Sequence, residues 1–202
     1  MTHEMRIPSR RLQIGRVFGL AVVIALWVGA SGTTGALAQS KEASEYEVKA
    51  AFLYNFAKFV EWPPDASRDL SDPLTICIVG QDPFGTVLDE AVRGKTISGH
   101  NLVIRRLKPG QTWKGCQIAF ISSSEGKDLL SILEGSKRSG VLTVGETEGF
   151  AQLGGMINFV IEQERVHFEV NVEDAERAGL KISSKLLSLA KIVREQDHGK
   201  KT

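Results

Sequence analysis

Short apolar runs alternate with helical patterns through the middle of the chain. Most of these runs are rich in β-branched residues and apolar at nearly every position, which is typical of parallel strands buried on both faces. Four strands are predicted, at 74–79, 101–107, 117–121 and 141–144. Helices are predicted between them, at 86–93 and 127–133. This alternation favours an α/β layered sandwich with a mainly parallel sheet.

Upstream of these strands, residues 45–60 predict a buried N-terminal helix. Four bulky apolar residues recur there at helical spacing: Val48, Phe52, Phe56 and Phe59. The segment is apolar almost all round, so the helix is expected to be buried rather than to lie on the surface. Pro63 and Pro64 end it, because proline cannot donate the backbone hydrogen bond that a helix needs.

The C-terminal third changes to an antiparallel pattern. Residues 156–162 and 165–170 predict two strands joined by the two-residue connection Gln163-Glu164, which is typical of a hairpin. In the second strand three polar residues alternate with apolar ones and are expected on one solvated face: Arg165, His167 and Glu169.

Two helices are predicted after this hairpin. Asn171 and Asp174 can cap a helix over 172–178, and Gly179 ends it. Ser183 starts a last helix. Four residues of that helix are expected to share an apolar face: Leu186, Leu189, Ala190 and Val193.

The beginning of the chain has the order of charged and apolar residues of a secretory signal peptide. A basic stretch precedes an apolar run at 17–30, and an A-x-A site with Ala36 and Ala38 follows, so cleavage is expected before Gln39. The alternative is an uncleaved membrane anchor, but the run is shorter than the ~20 residues that a spanning helix needs. The pattern leaves open whether export uses the Sec or the Tat route.

Without the leader the chain has the length of one domain and a slightly acidic charge. It divides into a signal peptide at 1–38, a single domain at 39–194 and a polar tail at 195–202. The formal net charge is +1 for the whole chain and −2 for residues 39–202. No cluster of Lys and Arg could bind a phosphate backbone, which excludes a nucleic-acid-binding protein.

The two cysteines, Cys77 and Cys116, both lie after the leader. An even number of cysteines in an exported chain indicates a disulfide bond. Closing a loop of this size would stabilise the fold by about 4 kcal/mol in the chain-entropy picture. Two buried free thiols are the alternative, since Cys77 lies inside the apolar run 74–79. The exported compartment favours the bond.

Candidate catalytic chemistry is scarce. The loop 80–85 follows the first strand, where a doubly wound sheet often binds phosphate, but it has neither the G-x-G-x-x-G pattern nor a phosphate-binding lysine. The histidines after the leader lack metal-ligand spacing, and no nucleophile motif occurs. The sequence therefore predicts a non-enzyme, with no catalytic residue, no metal site and no cofactor.

Two segments resemble the YfiR family of exported bacterial proteins. The first is residues 49–63, KAAFLYNFAKFVEWP. The second combines INF at 157–159, VHFEVN at 166–171 and AGLKISSKLL at 178–187. The resemblance extends over residues 45–193 and implies an α/β sandwich, in agreement with the pattern of strands and helices.

The resemblance also implies a periplasmic regulator. The best-described member of the family represses an inner-membrane diguanylate cyclase by binding its periplasmic sensor domain. An outer-membrane lipoprotein can sequester that repressor, which raises cyclic di-GMP and promotes biofilm formation. By this resemblance the chain is expected to be a periplasmic homodimer whose partners are an inner-membrane diguanylate cyclase and an outer-membrane lipoprotein. A histidine kinase is the alternative membrane partner.

The cysteines match the family only in part. Cys77 and Cys116 fit a disulfide bond of the family. A second cysteine pair is absent, because Ala151 and Asn158 stand in the region where it is expected. A redox switch that depends on that second pair is therefore not expected in this chain.

Partner binding predicts an exposed apolar patch, roughly several hundred Å² in area, near the segment 145–155 and the strand 165–170. The expected contact residues are Phe150, Arg165, His167 and Glu169. The rival hypothesis is a periplasmic small-molecule binding module that uses the strand ends around the loop 80–85 and feeds a membrane sensor.

Overall fold

The structure is a computed structural model that describes residues 33–63, 72–108, 111–137 and 139–194, with side chains from residue 44 onward. Most of the predicted signal peptide and the whole predicted tail lie outside these residues. The predicted cleavage-site residues Ala36, Ala38 and Gln39 lie on helical backbone, and their side chains are outside the described set. The following account concerns the compact unit that begins at Ala43.

The described residues form ten strands and five α-helices. The strands are β1 (Val60–Glu61), β2 (Leu74–Val79), β3 (Thr96–Ile97), β4 (His100–Leu107), β5 (Ile118–Ile121), β6 (Leu142–Gly145), β7 (Ile157–Glu162), β8 (Arg165–Asn171), β9 (Lys181–Ile182) and β10 (Lys191–Val193). The α-helices are α1 (Thr33–Phe59), α2 (Thr86–Val92), α3 (Leu129–Ser136), α4 (Val172–Arg177) and α5 (Ser184–Leu187).

Eight strands form one mixed, mainly parallel sheet in the order β10-β8-β7-β6-β5-β2-β4-β3. The strands β4, β2, β5, β6 and β7 run parallel to one another. Antiparallel pairs flank them, β3 with β4 and β8 with β7. Strands β1 and β9 form a separate two-stranded ladder. The predicted α/β layered fold with a mainly parallel sheet is confirmed.

The two faces of the sheet carry different layers. In β2, Ile76 and Ile78 belong to the main apolar core with α1 and α2, while Cys77 belongs to a second apolar cluster. In β5, Ile121 packs with Leu129 of α3 in a third cluster. Because successive side chains of a strand point to opposite faces, α1 and α3 cover opposite sides of the sheet.

Helix α1 is held on the sheet by an aromatic cluster. The Phe56 ring lies 5.7 Å from Phe159 of β7 and 5.2 Å from Phe168 of β8, centroid to centroid. Phe52 lies 5.2 Å from the same Phe168 ring. These separations are typical of favourable aromatic pairs. The bulky apolar spacing that predicted the helix therefore also positions it against the antiparallel end of the sheet.

The predicted hairpin connection is confirmed in detail. Gln163 and Glu164 have φ angles of 49° and 62°, so both central residues of the turn are left-handed. This is the two-residue turn whose twist matches that of antiparallel strands. The pairing that follows sets Asn158 opposite Glu169 and Phe159 opposite Phe168.

The prediction of a long last helix is wrong. Ser183 caps a helix as expected, its Oγ accepting from Leu186 N at 3.3 Å, but the helix ends at Leu187. Residues Lys191–Val193 instead form β10, which pairs in parallel with the edge of β8. That edge offers unpaired backbone groups, and hydrogen bonding to them outweighs the helical pattern. Leu189 is 67% exposed, so the expected apolar face does not form.

Candidate functional site

One cavity of the described fold lies where two neighbouring strands differ in length. Strand β6 ends at Gly145, and only Ile157 and Asn158 of β7 pair with it. Strand β7 continues to Glu162, and among the described residues no strand pairs with it on that edge beyond Asn158. The space beyond the end of β6 is a cavity of about 810 Å³, which we call the strand-end cavity. This volume is in the range of small-molecule sites.

One wall of the strand-end cavity is a buried ion pair between α1 and the residue that follows β6. Lys49 is 4% exposed, and its Nζ lies 2.8 Å from Glu146 Oε2 and 2.5 Å from Glu45 Oε1. The Tyr46 hydroxyl donates to Glu146 at 3.2 Å, and the Ser123 hydroxyl donates at 3.4 Å. Several donors thus satisfy the Glu146 carboxylate, as a buried charge requires.

Another wall contains a second carboxylate, Glu169. It accepts from Lys191 Nζ at 2.9 Å and from Gln152 Nε2 at 3.2 Å. Burial by itself would raise the pKa of Glu169, but the hydrogen bonds from Lys191, Gln152 and Asn158 outweigh that effect and lower the pKa. Glu169 is therefore ionised at neutral pH.

Two residues of the cavity lining each carry a buried side-chain oxygen that has no hydrogen-bond donor. Among the described residues, four buried side-chain polar atoms lack a partner, and two of them, Gln152 Oε1 and Asn158 Oδ1, belong to residues that line the strand-end cavity. A carboxylate only accepts hydrogen bonds, so both amides turn their NH₂ groups to Glu169. Their carbonyl oxygens are left without donors, which is unfavourable in a buried position.

The lining of the strand-end cavity is acidic. Among its lining residues are four glutamates and a single lysine, Lys49. Apolar side chains complete the surface: Leu153, Phe159, Val160 and Ile161. The cavity lining therefore combines negative charge with an apolar patch.

Cys77 and Cys116 form the disulfide bond that the exported compartment favours, with their Cα atoms 5.8 Å apart. The bond connects β2 with the turn before β5, and both cysteines are buried. Arg105 of β4 donates to Cys116 Sγ at 2.9 Å and to the Lys114 carbonyl at 2.8 Å. The bond therefore lies inside the fold and away from the strand-end cavity.

The choice of Phe150 as a surface contact is wrong, because its ring is fully buried. A side chain at Gly145 or Gly155 would clash with this ring, since a Cβ at either position would lie less than 2.5 Å from it. The absence of side chains at these glycines thus lets Phe150 fold back into the core. Glu169 is also buried, so it belongs to the cavity wall rather than to an exposed strand face.

Arg165 and His167 are exposed on β8, as their alternation predicts. They lie at the outer end of the hairpin together with Ile161 of β7, which is 49% exposed. We call these three residues the hairpin tip. The contact role that the sequence assigns to Arg165 and His167 stays a prediction.

The crevice predicted around the loop 80–85 is filled by the protein itself. Gly80 has φ of 88°, and a Cβ there would lie 2.5 Å from Ser124 Oγ and 2.6 Å from Glu125 Oε1. The Gln81 N–H donates to Ser124 Oγ at 3.0 Å, which joins the loops after β2 and β5. The location of the predicted small-molecule site is therefore not supported here.

Sequence reasoning missed most of the strand-end cavity. Lys49 is a cation within an otherwise apolar helix, which is a signal of a buried partner. Glu146 and Gln152 carry no local signal, since only the fold brings them near α1 and β8. The sequence analysis singled out Asn158 only because it stands in the region where the family resemblance predicts a second cysteine pair.

Among the described residues, no helix is long and apolar enough to cross a membrane. The same residues contain no group of three or more His, Cys, Asp or Glu side chains placed to hold a metal ion.

Comparison with protein families gives one broad match. The model of the family described as YfiR/HmsC-like (DUF4154) matches residues 46–191, which include both walls of the strand-end cavity apart from Glu45. No curated protein matches the chain.

Two solved structures are distantly similar. A conserved domain protein from Vibrio cholerae O1 biovar El Tor has a TM-score of 0.48 and 8% identity, over 73% of this chain and 59% of that one. The ABC domain in complex with L-Trp from Streptococcus pneumonia has a TM-score of 0.44 and 10% identity, over 59% of this chain and 55% of that one. The chain therefore spans a little over half the length of each.

Proposed function

The chain belongs to the YfiR/HmsC-like family, and we propose from this that it binds and represses the periplasmic sensor domain of an inner-membrane diguanylate cyclase. The family consists of periplasmic regulators of diguanylate cyclase signalling rather than of catalysts. The observation that carries the proposal is the family match, because it extends over nearly the whole described domain. An internal disulfide bond is also in keeping with an exported protein.

The hairpin tip is the surface that we propose for contact with the sensor domain. It presents the exposed Ile161 on one face of the hairpin and the exposed side chains of Arg165 and His167 on the other. Val48 of α1, 40% exposed, adds a further apolar side chain on the helix that packs against this hairpin. Protein interfaces typically combine apolar residues and arginine in this way.

Repression of this kind requires only a difference in affinity between two states of the sensor. A repressor that shifts an evenly populated cyclase to about 1% active must bind the inactive state about 100-fold more tightly than the active state. A competitor such as an outer-membrane lipoprotein would release the cyclase by removing the repressor. The proposal thus needs no enzymatic step in this chain.

Crosslinking in native cells, followed by mass spectrometry, tests the proposal. With the tagged full-length chain as bait, we expect a membrane protein that has a periplasmic sensor and a cytoplasmic cyclase domain. Capture of a histidine kinase instead would keep the regulatory role and change the output. Recovery of copies of this chain alone would contradict the repressor role and show only the expected homodimer.

A pair of surface variants tests the proposed contact. The double variant Ile161→Asp/Arg165→Glu changes exposed side chains of the hairpin tip and should abolish the crosslink to the sensor. The matched control is Leu130→Asp on α3, because Leu130 is 60% exposed and lies on the opposite layer of the sheet. Equal crosslinking of both variants would place the contact elsewhere.

A further inference from the structure

We propose that a cleft at the other end of the parallel strands binds an acidic saccharide. The cleft has a volume of about 880 Å³, and its lining includes Trp62, Trp113 and the residues that precede β5 and β6, Gln117 and Val141. We call it the tryptophan cleft. Its volume is in the range of small-molecule sites. The site goes beyond the proposed repressor function, and neither depends on the other.

Two half-exposed indoles line the tryptophan cleft. Trp62 Nε1 donates to the Gln117 carbonyl at 3.2 Å, which holds this ring at the start of β5. Trp113 packs against the apolar cluster that contains Cys116 and Val141. Each indole therefore has a fixed position and still leaves part of its surface open. An indole combines a flat apolar face with a polar edge, and the C–H face of a pyranose ring fits such a surface.

The loop that carries Trp113 is fixed without a ligand. The disulfide bond joins Cys116 of this loop to Cys77 of β2. The Cys116 N–H donates to the Trp113 carbonyl at 2.9 Å, and Arg105 donates to the Lys114 carbonyl at 2.8 Å. A wall that is already ordered loses little conformational entropy when a ligand binds, which favours affinity.

Gly135 of α3 belongs to the lining of the cleft and has no structural explanation within the described fold. Its φ angle is not positive, and a Cβ at this position would meet no described atom within 4 Å. A glycine within a helix is less favourable than alanine. We infer that the missing side chain keeps the cleft open for the close approach of a ligand.

The charge of the tryptophan cleft selects an anion. Among its described lining residues, Lys114 is the one charged side chain. A second cation lies beside the same loop, since Arg105 Nη1 is 3.9 Å from the position of a Cβ at Gly115. No carboxylate forms an ion pair with either cation among the described residues. The lining of the strand-end cavity, by contrast, contains four glutamates.

The hydroxyl groups of the lining select a saccharide over an aromatic anion. Thr112, Ser131 and Ser139 line the cleft, and a hydroxyl both donates and accepts hydrogen bonds. Thr112 Oγ1 accepts from Lys114 N at 3.2 Å and Ser139 Oγ from Val141 N at 3.3 Å, so their O–H groups can donate to a ligand. An aromatic ligand would cover these hydroxyls without pairing them, which is unfavourable.

Titration of the exported, purified chain tests this inference by calorimetry and by tryptophan fluorescence. Trp62 and Trp113 are two of the three tryptophans, and the third, Trp27, lies in the predicted signal peptide. A change in emission therefore reports on the cleft. The probe is cellobiouronate, a disaccharide with one carboxylate. The controls are cellobiose, which is neutral, the disaccharide of chitosan, which is cationic, and phenylacetate, an aromatic anion.

We expect cellobiouronate to bind at least about tenfold more tightly than cellobiose or phenylacetate, and the cationic disaccharide not to bind. Equal affinity for cellobiouronate and any of the three controls would overturn the proposal. No heat with cellobiouronate up to about 10 mM would overturn it as well.

A variant of α3 tests the steric part of the site. Gly135→Leu places a side chain at the lining and should weaken cellobiouronate binding about tenfold. It should not lower the midpoint of thermal unfolding, because leucine is a better helix former than glycine. The matched control is Glu134→Leu, the neighbouring position of the same helix, whose side chain is 70% exposed and does not line the cleft.

A second variant tests the charge. Lys114→Met should weaken cellobiouronate binding about tenfold and leave the affinity for cellobiose unchanged. Lys108→Met is the matched control, since Lys108 is also exposed but lies outside the lining. Unchanged affinity for cellobiouronate in both Gly135→Leu and Lys114→Met, or equal losses in the two controls, would refute this site. If no saccharide binds and Gly135→Leu instead abolishes a crosslink to another protein, the cleft is a protein contact and the proposal fails.

Discussion

Two places at the same end of the parallel strands differ in whether their polar groups are satisfied. After β2, Arg106 donates to Asp82 Oδ2 at 2.6 Å, to Asp89 Oδ2 at 2.5 Å and to the Gly85 carbonyl at 2.7 Å. Ser124 fills the remaining space above Gly80. After β6, by contrast, the strand-end cavity stays open, and two acceptors lack donors.

The difference shows that strand ends of one sheet can be closed or open, depending on the loops beside them and on how far the neighbouring strands extend. The switch in strand order lies between β2 and β5, which is where open α/β sheets commonly bind ligands. Here that crevice is closed by its own loops. The open cavity instead lies closer to the antiparallel pair β7 and β8, because β7 extends past the end of β6.

The largest effect on stability is expected at Phe150, whose ring packs against Gly145 at the end of β6 and against Gly155. Phe150→Ala should lower the free energy of unfolding by about 3–5 kcal/mol, because it empties the space between Gly145 and Gly155. Urea unfolding at neutral pH measures this loss. Phe150→Leu is the matched variant and should cost less, since leucine still fills part of the space. A loss below about 1 kcal/mol for Phe150→Ala would show that the ring is not a packing element.

The next largest effect on stability is expected at the buried ion pair of the cavity wall, Lys49 with Glu146. Lys49→Met should destabilise the fold by about 3 kcal/mol, because it leaves Glu146 buried without its cation. The double variant Lys49→Met/Glu146→Gln should recover most of that loss, since it removes the uncompensated charge as well. Chemical denaturation of the three proteins forms this test. If the double variant is no more stable than Lys49→Met, the cost comes from packing and not from the charge.

Acid should lower the stability of the protein by protonating Glu169, the carboxylate on the other wall of the cavity. Glu169 has a lowered pKa in the folded protein, so its stabilising effect is complete above the ordinary glutamate value and is lost as the pH falls toward the lowered one. Unfolding curves between neutral pH and pH ~3 should therefore show a loss of stability that Glu169→Gln reduces. An identical acid dependence in Glu169→Gln would contradict the contribution of this carboxylate.

The smallest effect is expected at the satisfied strand end. Arg106 and Asp89 are both exposed, and Arg106→Met should cost no more than about 1 kcal/mol, because surface ion pairs are weak. The hydrogen bond from Arg106 lowers the pKa of Asp89, so the small contribution that exists should fade in acid. If Arg106→Met lost as much stability as Lys49→Met, the difference in burial between the two ion pairs would not determine their contributions to stability.

The sequence predicted the central sheet closely. The apolar runs at 74–79 and 141–144 correspond to β2 and β6, because a strand buried on both faces needs apolar residues at almost every position. The hairpin and its turn were equally readable, since a two-residue connection restricts the geometry. The chain after Leu187 was not readable, because its pairing with β8 lies outside any local pattern.

Local pattern by itself determined the strands, the buried helix, the disulfide candidate and the family resemblance, because each depends on residues close in the chain or on their compartment. Tertiary structure alone decided the length difference between β6 and β7, the burial of Phe150 and the meeting of Lys49 with Glu146. Those features depend on which distant segments become neighbours. Hydrogen-bond partners 97 residues apart, such as Lys49 and Glu146, are unrelated until the sheet brings them together.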